Sequence, residues 1–318
     1  MIRVITYNIL AGGTHRVEPL ARVLQAKQPD LIGLIEASNC QVVQELARRL
    51  GMDYQLSEPA KPQKAQSVAI LSRLPILSAQ SLQSSPPHPP PLLEVQVAEP
   101  DGTPLTVLVT HLTATFNNGW RASSQRRREA QILLERMQAH RGTPHLLMGD
   151  FNVVAPGDRI KGSALLRFLT DKQLYYQLIP AKANQTNASG LPGLDSVVPR
   201  QLRFVYPLLR AIPNNNALSF LLDTFHPLYA PRGGIGLLTK AGYVDSFRRL
   251  HPREPGWTWP SALPAGRIDY VFASPELASR LCTCEVLAAS GELPADQASD
   301  HLPVFVTLRT RLAGEGSQ

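Results

Sequence analysis

The chain has 318 residues, 43% of them hydrophobic, which is enough to bury a sizeable core in one large domain or two small ones. Lysine and arginine number 32 against 25 aspartate and glutamate, and the resulting charge of +7 favours an anionic partner such as nucleic acid or acidic lipid. Three cysteines are too few for a disulfide scaffold, and no apolar run approaches the roughly 20 residues of a membrane span. The first predicted strand begins at the first residues and leaves no room for a secretory signal. We therefore expect a soluble cytoplasmic protein.

Strand and helix signals alternate through the first half of the chain. Apolar residues at helical spacing predict amphipathic helices at 17–24 and 43–50, the second closed by Gly51. A third apolar helix face at 130–137 carries charged residues on its other side, and we expect that charged side to be solvated. Strands are predicted at 3–8, 31–35, 68–71, 92–97, 105–109 and 145–148. A proline-rich stretch at 86–91 is predicted to be an exposed extended loop.

The pattern loosens between 156 and 236. This region contains polar, turn-rich sequence at 184–190 and apolar runs at 202–209 and 218–222. Long structureless loops are uncommon in compact domains, so we predict that the region folds onto the domain edge or forms a lid. Regular signals return from 237 to 308. We therefore expect one domain over 1–310, an insertion at about 156–236, and a disordered tail at 311–318.

Six short motifs place a carboxylate, amide or imidazole at or near the end of a predicted strand. They are Tyr7-Asn8-Ile9-Leu10, Leu34-Ile35-Glu36, Thr110-His111-Leu112, Gly149-Asp150-Phe151-Asn152, Arg267-Ile268-Asp269-Tyr270 and Ser299-Asp300-His301-Leu302-Pro303. Together they predict one polar pocket on a β-rich scaffold. Hard cations and phosphates are bound by rigidly held oxygen and imidazole groups of this kind.

The individual residues point to phosphodiester hydrolysis. Glu36 ends an apolar strand, and a semi-buried carboxylate there needs either a metal cation or an ordinary salt bridge. Asp150 and Asn152 face the same side, so one can orient water while the other donates to phosphate, unless the pair forms only an Asx-type turn. His301 has two candidate carboxylate partners, Asp300 and Asp269, to tune its basicity. His111 could donate to a phosphoryl oxygen or a leaving group, or be structural.

Taken together, these residues resemble the endonuclease/exonuclease/phosphatase superfamily. The superfamily includes deoxyribonuclease I, exonuclease III type apurinic endonucleases, neutral sphingomyelinases, inositol polyphosphate 5-phosphatases and deadenylases. The resemblance implies an α/β fold in four layers, with two packed mixed β-sheets flanked by helices. It also implies hydrolysis of a phosphoester that depends on Mg²⁺ or Mn²⁺.

The resemblance also implies roles for single residues. Glu36 resembles the principal metal ligand, with Asn8 near it, and Asp300 resembles the residue at a second metal position. Asp150 would position or deprotonate the attacking water, and Asn152 would contact the phosphate. His301, oriented by Asp269, would stabilise the transition state or act as base. His111 resembles the phosphate-contacting or acid histidine of the deoxyribonuclease I and sphingomyelinase branches.

The branch is less clearly marked than the superfamily. The stretch from Tyr243 to Tyr270, with Trp257 and Trp259, is similar to exonuclease III type enzymes, and these two side chains could stack on bases or pack in the core. Leu10 stands where those enzymes carry an acidic residue, and His111 where they usually carry tyrosine. Both differences separate this chain from that branch.

Three functions follow as hypotheses. The first is a metal-dependent phosphodiesterase acting on DNA as a monomer, with the Arg121 to Arg128 cluster and the two tryptophans contacting the substrate. The second is the same chemistry on a lipid or small phosphoester, in which the insertion could rest on a membrane. The third is a catalytically silent binding module, which typically lacks the acidic ligand or the Asp-His pair that this chain retains.

Overall fold

Two β-sheets form the centre of the protein. The computed structural model describes residues 1–58, 67–82, 90–114, 119–171, 193–194, 198, 200–225, 233–288 and 293–311, without the side chains of 119–122 and 200. Within these ranges the strands are β1 (Ile2–Asn8), β2 (Leu31–Ile35), β3 (Asp53–Leu56), β4 (Val68–Ser72), β5 (Ile76–Ser81), β6 (Leu92–Ala98), β7 (Pro104–His111), β8 (His145–Asp150), β9 (Val244–Asp245), β10 (Asp269–Ala273), β11 (Leu281–Val286) and β12 (Val304–Leu308). One six-stranded sheet has the order β11-β12-β1-β2-β4-β3, and the other has the order β5-β6-β7-β8-β10-β9.

Helices cover the outer faces of both sheets. The α-helices in the described ranges are α1 (Val17–Gln25), α2 (Cys40–Leu50), α3 (Gly119–Gln138), α4 (Gly162–Thr170), α5 (Tyr206–Ala211), α6 (Asn216–Thr224), α7 (Ile235–Lys240), α8 (Ser246–Leu250), α9 (Pro275–Ala278) and α10 (Ala295–Ala298). Short 3₁₀ helices lie at Ala11–Gly13, Arg200–Val205 and Ile212–Asn214. As predicted, α2 ends at Gly51, which is left-handed (φ 62°) and donates its N–H to the last turn.

Three of the hydrophobic clusters among the described residues define four layers. Side chains of both sheets meet in the central part, where Val4 and Leu31 of one sheet share a cluster with Val107 and Met148 of the other. A second cluster packs α1 and α2 on the outer face of the first sheet. A third packs α3 and α7 on the outer face of the second sheet. The predicted four-layered α/β sandwich is therefore confirmed.

Strand direction brings the predicted site residues to one edge of the sandwich. β1 and β2 are parallel, so Asn8 and Glu36 emerge together, and β7 and β8 are parallel, with His111 opposite Asp150. β10 runs antiparallel to β8 and starts with Asp269 opposite Asp150. β12 runs antiparallel to β1, so its start, which follows His301, lies beside the end of β1.

The described part of the predicted insertion packs on this same edge. Buried side chains of α4 and of Ile212 form a cluster with Leu10, against which Trp259 packs. This arrangement agrees with folding onto the domain edge, although the domain and insertion boundaries themselves stay predictions. The predicted polar run 184–190 lies outside the described residues, as do all but residue 311 of the predicted tail 311–318 and most of the proline-rich loop. Within the part of the chain that is described, no helix is both long and apolar enough to cross a membrane.

The charged side of α3 is only partly solvated, which corrects the prediction. Arg126 and Glu129 are almost completely buried. Both bind Thr113 in the loop after β7: Arg126 donates to its carbonyl, and Glu129 accepts from its N–H. Both side chains are buried because they bind backbone groups of this loop, which have no hydrogen-bond partner in the β-sheet.

Candidate active site

Asp150 lies at the centre of a buried polar network. Its Oδ2 accepts from Asn8 Nδ2 at 3.0 Å and lies 3.5 Å from His111 Nε2 and 3.7 Å from His301 Nε2. Burial disfavours the charged carboxylate, and the two histidines only partly compensate while Asp269 adds repulsion, so the pKa of Asp150 is raised to about 6. Near neutral pH this carboxylate is ionised and close to its own pKa, as a general base should be.

His301 is held by a second carboxylate. Its Nδ1 lies 2.9 Å from Asp269 Oδ2, and both side chains are buried. Burial opposes the charged imidazolium, but the carboxylates of Asp269 and Asp150 outweigh it, and the pKa of His301 rises to about 10. The ring is therefore a fixed cation at neutral pH, directed at Asp150.

Glu36 and Asn8 form the neighbouring part of the site. Glu36 adopts a left-handed backbone (φ 58°) directly after β2, and this turn aims its side chain back at β1. Its two oxygens accept from Ala11 N–H at 2.6 Å and from Asn8 Nδ2 at 3.3 Å. Burial opposes ionisation, but His111, the Ala11 N–H, His301 and Asn8 together outweigh it, so the pKa of Glu36 is lowered and the carboxylate stays charged.

Asn152 links Asp150 to His111. Its backbone is left-handed (φ 51°), and its N–H donates to Asp150 Oδ1 at 2.9 Å, as in the predicted Asx-type turn. Its Nδ2 donates to Leu112 O at 2.9 Å and lies 3.1 Å from His111 Nε2. The turn and the functional interpretation are thus compatible, because the backbone makes the turn while the side chain reaches His111.

The motif around His301 is fastened to the end of β1. Ser299 Oγ donates to the Asn8 carbonyl at 2.6 Å and accepts from the His301 N–H at 3.3 Å. Asp300 is almost buried, and its charge contributes to the raised pKa of His301. The network thus joins Asn8, Glu36, His111, Asp150, Asn152, Asp269 and His301, with Asp300 at its border.

The donor set suits a hard divalent cation. Asp150 and Asp269 offer carboxylate oxygens that lie within 4.8 Å of each other and of a ring nitrogen of His301, which could itself bind a cation only when the imidazole is neutral. Asp269 Oδ1 is buried and accepts no hydrogen bond from the described residues. The half-buried carboxylate of Glu36 lies beside them, bridged to Asp150 by the amide of Asn8. Carboxylate oxygens with few protein donors are the ligands that Mg²⁺ and Mn²⁺ prefer.

The surroundings differ among Trp259, Trp257 and Arg121, which were predicted to contact the substrate. Trp259 packs edge-to-face on Phe168, and its ring centre lies 6.4 Å from that of His301. Trp257 is half-buried and donates from Nε1 to Arg159 O at 2.9 Å. Arg121 belongs to α3, and its side chain is outside the described part of the structure. Of the two tryptophans, Trp259 borders the site.

Two supporting residues were not predicted from the sequence. Thr258 Oγ1 accepts from the N–H groups of Ile268 and Asp269, at 3.1 and 3.3 Å, and so fixes the start of β10. Arg267, fully buried, donates to Asp158 at 2.7 Å and to Asp245 at 2.7 and 2.8 Å. Arg267 was visible within a motif, but its carboxylate partners are distant in sequence, and Thr258 gives no local signal.

Sequence comparison with known proteins identifies relatives of this chain. A sequence profile of the Endonuclease/Exonuclease/phosphatase family matches residues 5–301. A DNA-(apurinic or apyrimidinic site) endonuclease of Arabidopsis thaliana is 35% identical over 99 residues, a match that spans 27% of each protein. The chain therefore matches about a quarter of that curated relative's length.

Solved structures share the fold over the whole chain. An AP endonuclease from Archaeoglobus fulgidus superposes with a TM-score of 0.63 at 18% identity, covering 97% of this chain and 99% of that one. A 3′ phosphatase from Neisseria bound to a product DNA hairpin superposes with a TM-score of 0.60 at 16% identity, covering 97% and 100%. At this identity the likeness concerns the fold.

Proposed function

The chain belongs to the Endonuclease/Exonuclease/phosphatase family, and from that premise we propose that it is a divalent-metal-dependent phosphodiesterase that hydrolyses DNA. The single observation that carries the proposal is the position of Asp150. It is a buried carboxylate flanked by two histidines, and one of these is charged and held by Asp269. Such an arrangement can take a proton from water and stabilise negative charge at the same site.

The cation would be held chiefly by Glu36. The lowered pKa of this carboxylate keeps it charged, and its surroundings supply further oxygen donors on Asp150 and Asp269. Asn8 turns its amide nitrogen to Glu36 and Asp150 and its oxygen to Leu10 N–H, so its contribution is to orient the two carboxylates. A bound divalent cation would polarise the phosphoryl group and offset its charge.

The remaining residues divide the other tasks. Asp150, with a pKa of about 6, orients the attacking water and accepts its proton. His301 is kept cationic by Asp269 and faces the negative charge that grows on the phosphoryl oxygens. Asn152, whose N–H binds Asp150, and His111, which lies beside the Asn152 amide, would contact the phosphate. Asp300 adds negative charge at the border of this site.

DNA is the substrate that several independent features support. The relatives described above include an enzyme named for abasic DNA and a phosphatase bound to a DNA hairpin. The chain carries a formal charge of +7, which suits a polyanion. Trp259 lies beside His301, where an aromatic face could contact a base or sugar.

Cleavage assays with matched variants test the proposal. Purified protein is incubated with supercoiled plasmid and with an abasic oligonucleotide duplex, in Mg²⁺, in Mn²⁺ and in chelator. We expect cleavage that requires the cation and falls by at least about a hundredfold in Asp150→Asn. Asp101→Asn, an exposed carboxylate in a turn, is the matched control and should cleave like the wild type. Equal cleavage by Asp150→Asn, or none by the wild type, contradicts the proposal.

A lipid or small phosphoester remains the second candidate substrate. The observation that favours it is the exposed apolar surface on residues 202–225, part of the predicted insertion. Release of phosphate or headgroup from sphingomyelin or phosphoinositide vesicles, without cleavage of either DNA, would support this candidate over the first.

A further inference from the structure

Large apolar side chains are exposed in one short part of the chain. We call this set the apolar surface, and its members are Leu202, Phe204, Leu208, Phe220, Leu221 and Phe225, with exposed fractions from 45% to 76%. Elsewhere in the described residues, only Met1 and Leu77 are large hydrophobic residues with comparable exposure. Concentrated exposure of this kind marks an interaction surface, whereas scattered apolar residues do not.

The apolar surface belongs to folded helices with a separate buried side. Leu209 of α5 and Leu218 and Leu222 of α6 pack into the cluster formed with α4. Asp223 accepts hydrogen bonds from the Ser163 N–H at 2.8 Å and the Ser163 hydroxyl at 2.7 Å, which fixes α6 against the start of α4. The helices thus have a satisfied inner side, and Phe220 and Phe204 point away from it.

The sequence of this segment is positively charged. Residues 200–225 contain three arginines and one acidic residue, Asp223. Arg210 is exposed, and Asp223 accepts two hydrogen bonds from Ser163. Apolar side chains interspersed with arginine are typical of helices that lie in the interface of an anionic bilayer.

The helices that carry the apolar surface pack against residues next to the candidate active site. Their buried cluster contains Leu10, two residues beyond Asn8, and Trp259 packs against this cluster while its ring centre lies 6.4 Å from that of His301. The buried side of these helices, and not the apolar surface itself, makes this contact.

We propose that residues 200–225 form a peripheral membrane-binding surface for bilayers that contain anionic phospholipid. Three of the six apolar residues are leucines, which have no π face, so stacking on nucleic acid bases would use only half of the surface. Phe204 and Phe220 protrude far into solvent, which suits insertion into a fluid acyl layer, and the arginines would meet lipid headgroups. This property goes beyond the phosphodiesterase proposal and does not depend on it.

Vesicle co-sedimentation tests the surface without measuring catalysis. The full-length protein is mixed with vesicles of phosphatidylcholine alone or of an equimolar mixture with phosphatidylglycerol. We expect binding to the mixed vesicles that weakens by about tenfold or more in the double variant Phe204→Ser/Phe220→Ser. The matched control is Leu77→Ser, an exposed leucine on β5, which should bind like the wild type. Arg210→Glu should also weaken binding, and Arg253→Glu, exposed in another part of the chain, should not.

Three outcomes would overturn the proposal. One is wild-type protein that does not sediment with the mixed vesicles, and another is a double variant that sediments as well as the wild type. The third is that the protein does not bind vesicles but forms a dimer in sedimentation velocity, or binds DNA, and that the double variant loses this property. That result would assign the surface to a second copy of the chain or to nucleic acid. The double variant should give the far-UV circular dichroism spectrum and the cooperative thermal unfolding of the wild type, which shows that the protein is folded.

Discussion

His301 depends on Asp269 for both its orientation and its charge. The 2.9 Å contact from Asp269 Oδ2 to Nδ1 directs Nε2 at Asp150, and the carboxylate favours the imidazolium. Asp269 Oδ1 accepts no hydrogen bond from the described residues, so replacement of this side chain should affect the proposed catalysis more than packing.

Asp269→Asn should lower activity by about a hundredfold or more, since the amide keeps the shape but lacks the charge that supports His301. The pKa of the His301 ring should also fall, and NMR titration of the imidazole resonances measures this change. A variant with normal turnover, or with reduced turnover but an unchanged His301 pKa, would show that Asp269 does not act through the histidine.

The charge of His301 also predicts how stability depends on pH. The folded-state pKa of about 10 lies above the ordinary value of 6.5, so the stabilisation is complete below pH 6.5 and is lost as the pH rises through about 10. A tenfold change in proton affinity corresponds to about 1.4 kcal/mol, so the loss should reach a few kcal/mol. Urea unfolding in chelator between pH 6 and pH 10 measures it. In His301→Gln the decline should be much shallower, and equal declines in both proteins would contradict the assignment.

At the scale of the elements, the close pairing of β7 and β8 holds His111 opposite Asp150. Gly149 permits this pairing, because a Cβ there would lie 2.0 Å from the Thr110 carbonyl oxygen on the neighbouring strand. Its φ of 154° is also unfavourable for other residues. The backbones of β7 and β8 therefore approach each other closely just before Asp150.

Gly149→Ala should destabilise the protein by about 3 kcal/mol or more, because backbone atoms must move apart. Gly236→Ala in α7 is a matched control, since the new methyl group would meet only Pro156 at 3.6 Å. Denaturant midpoints of the two variants measure the difference. A Gly149→Ala midpoint as high as that of Gly236→Ala would exclude a close strand contact at this position.

The elements that sequence reasoning missed were polar strands at the edges of the sheets. β3 is alternately exposed and half-buried, and β5 is mostly exposed, so neither has the apolar content that identified β2 and β8. These edge strands are stabilised by hydrogen bonds to β4 and β6, which lie further along the chain. A local pattern cannot reveal such a tertiary contribution.

At the scale of the whole molecule, the six motifs predicted the site because each belongs to a strand end. Asn8, Glu36, His111 and Asp150 follow apolar strands, so their positions could be derived from the sequence. The buried Arg267 cluster could not be predicted, because Asp158 lies 109 residues away and the contact exists only after folding. The burial of Arg126 and Glu129 could not be predicted either, because it depends on their contacts with Thr113 in the loop after β7.

The candidate active site and the apolar surface involve different residues. The site is buried and draws side chains from both sheets, whereas the apolar surface is exposed on residues 202–225. Under the two proposals, variants of the apolar surface should change membrane binding, and variants of the site should change cleavage.

The Mg²⁺ dependence of DNA cleavage in the wild type and in Glu36→Gln tests the central claim most directly. Cleavage of an abasic duplex is measured as Mg²⁺ is increased from zero in a chelated buffer. We predict no cleavage without the cation, saturation in the wild type, and at least about a tenfold higher half-saturating Mg²⁺ concentration in Glu36→Gln. Wild-type cleavage that continues in excess chelator, or an identical Mg²⁺ response in the two proteins, would contradict a metal-dependent centre built on Glu36.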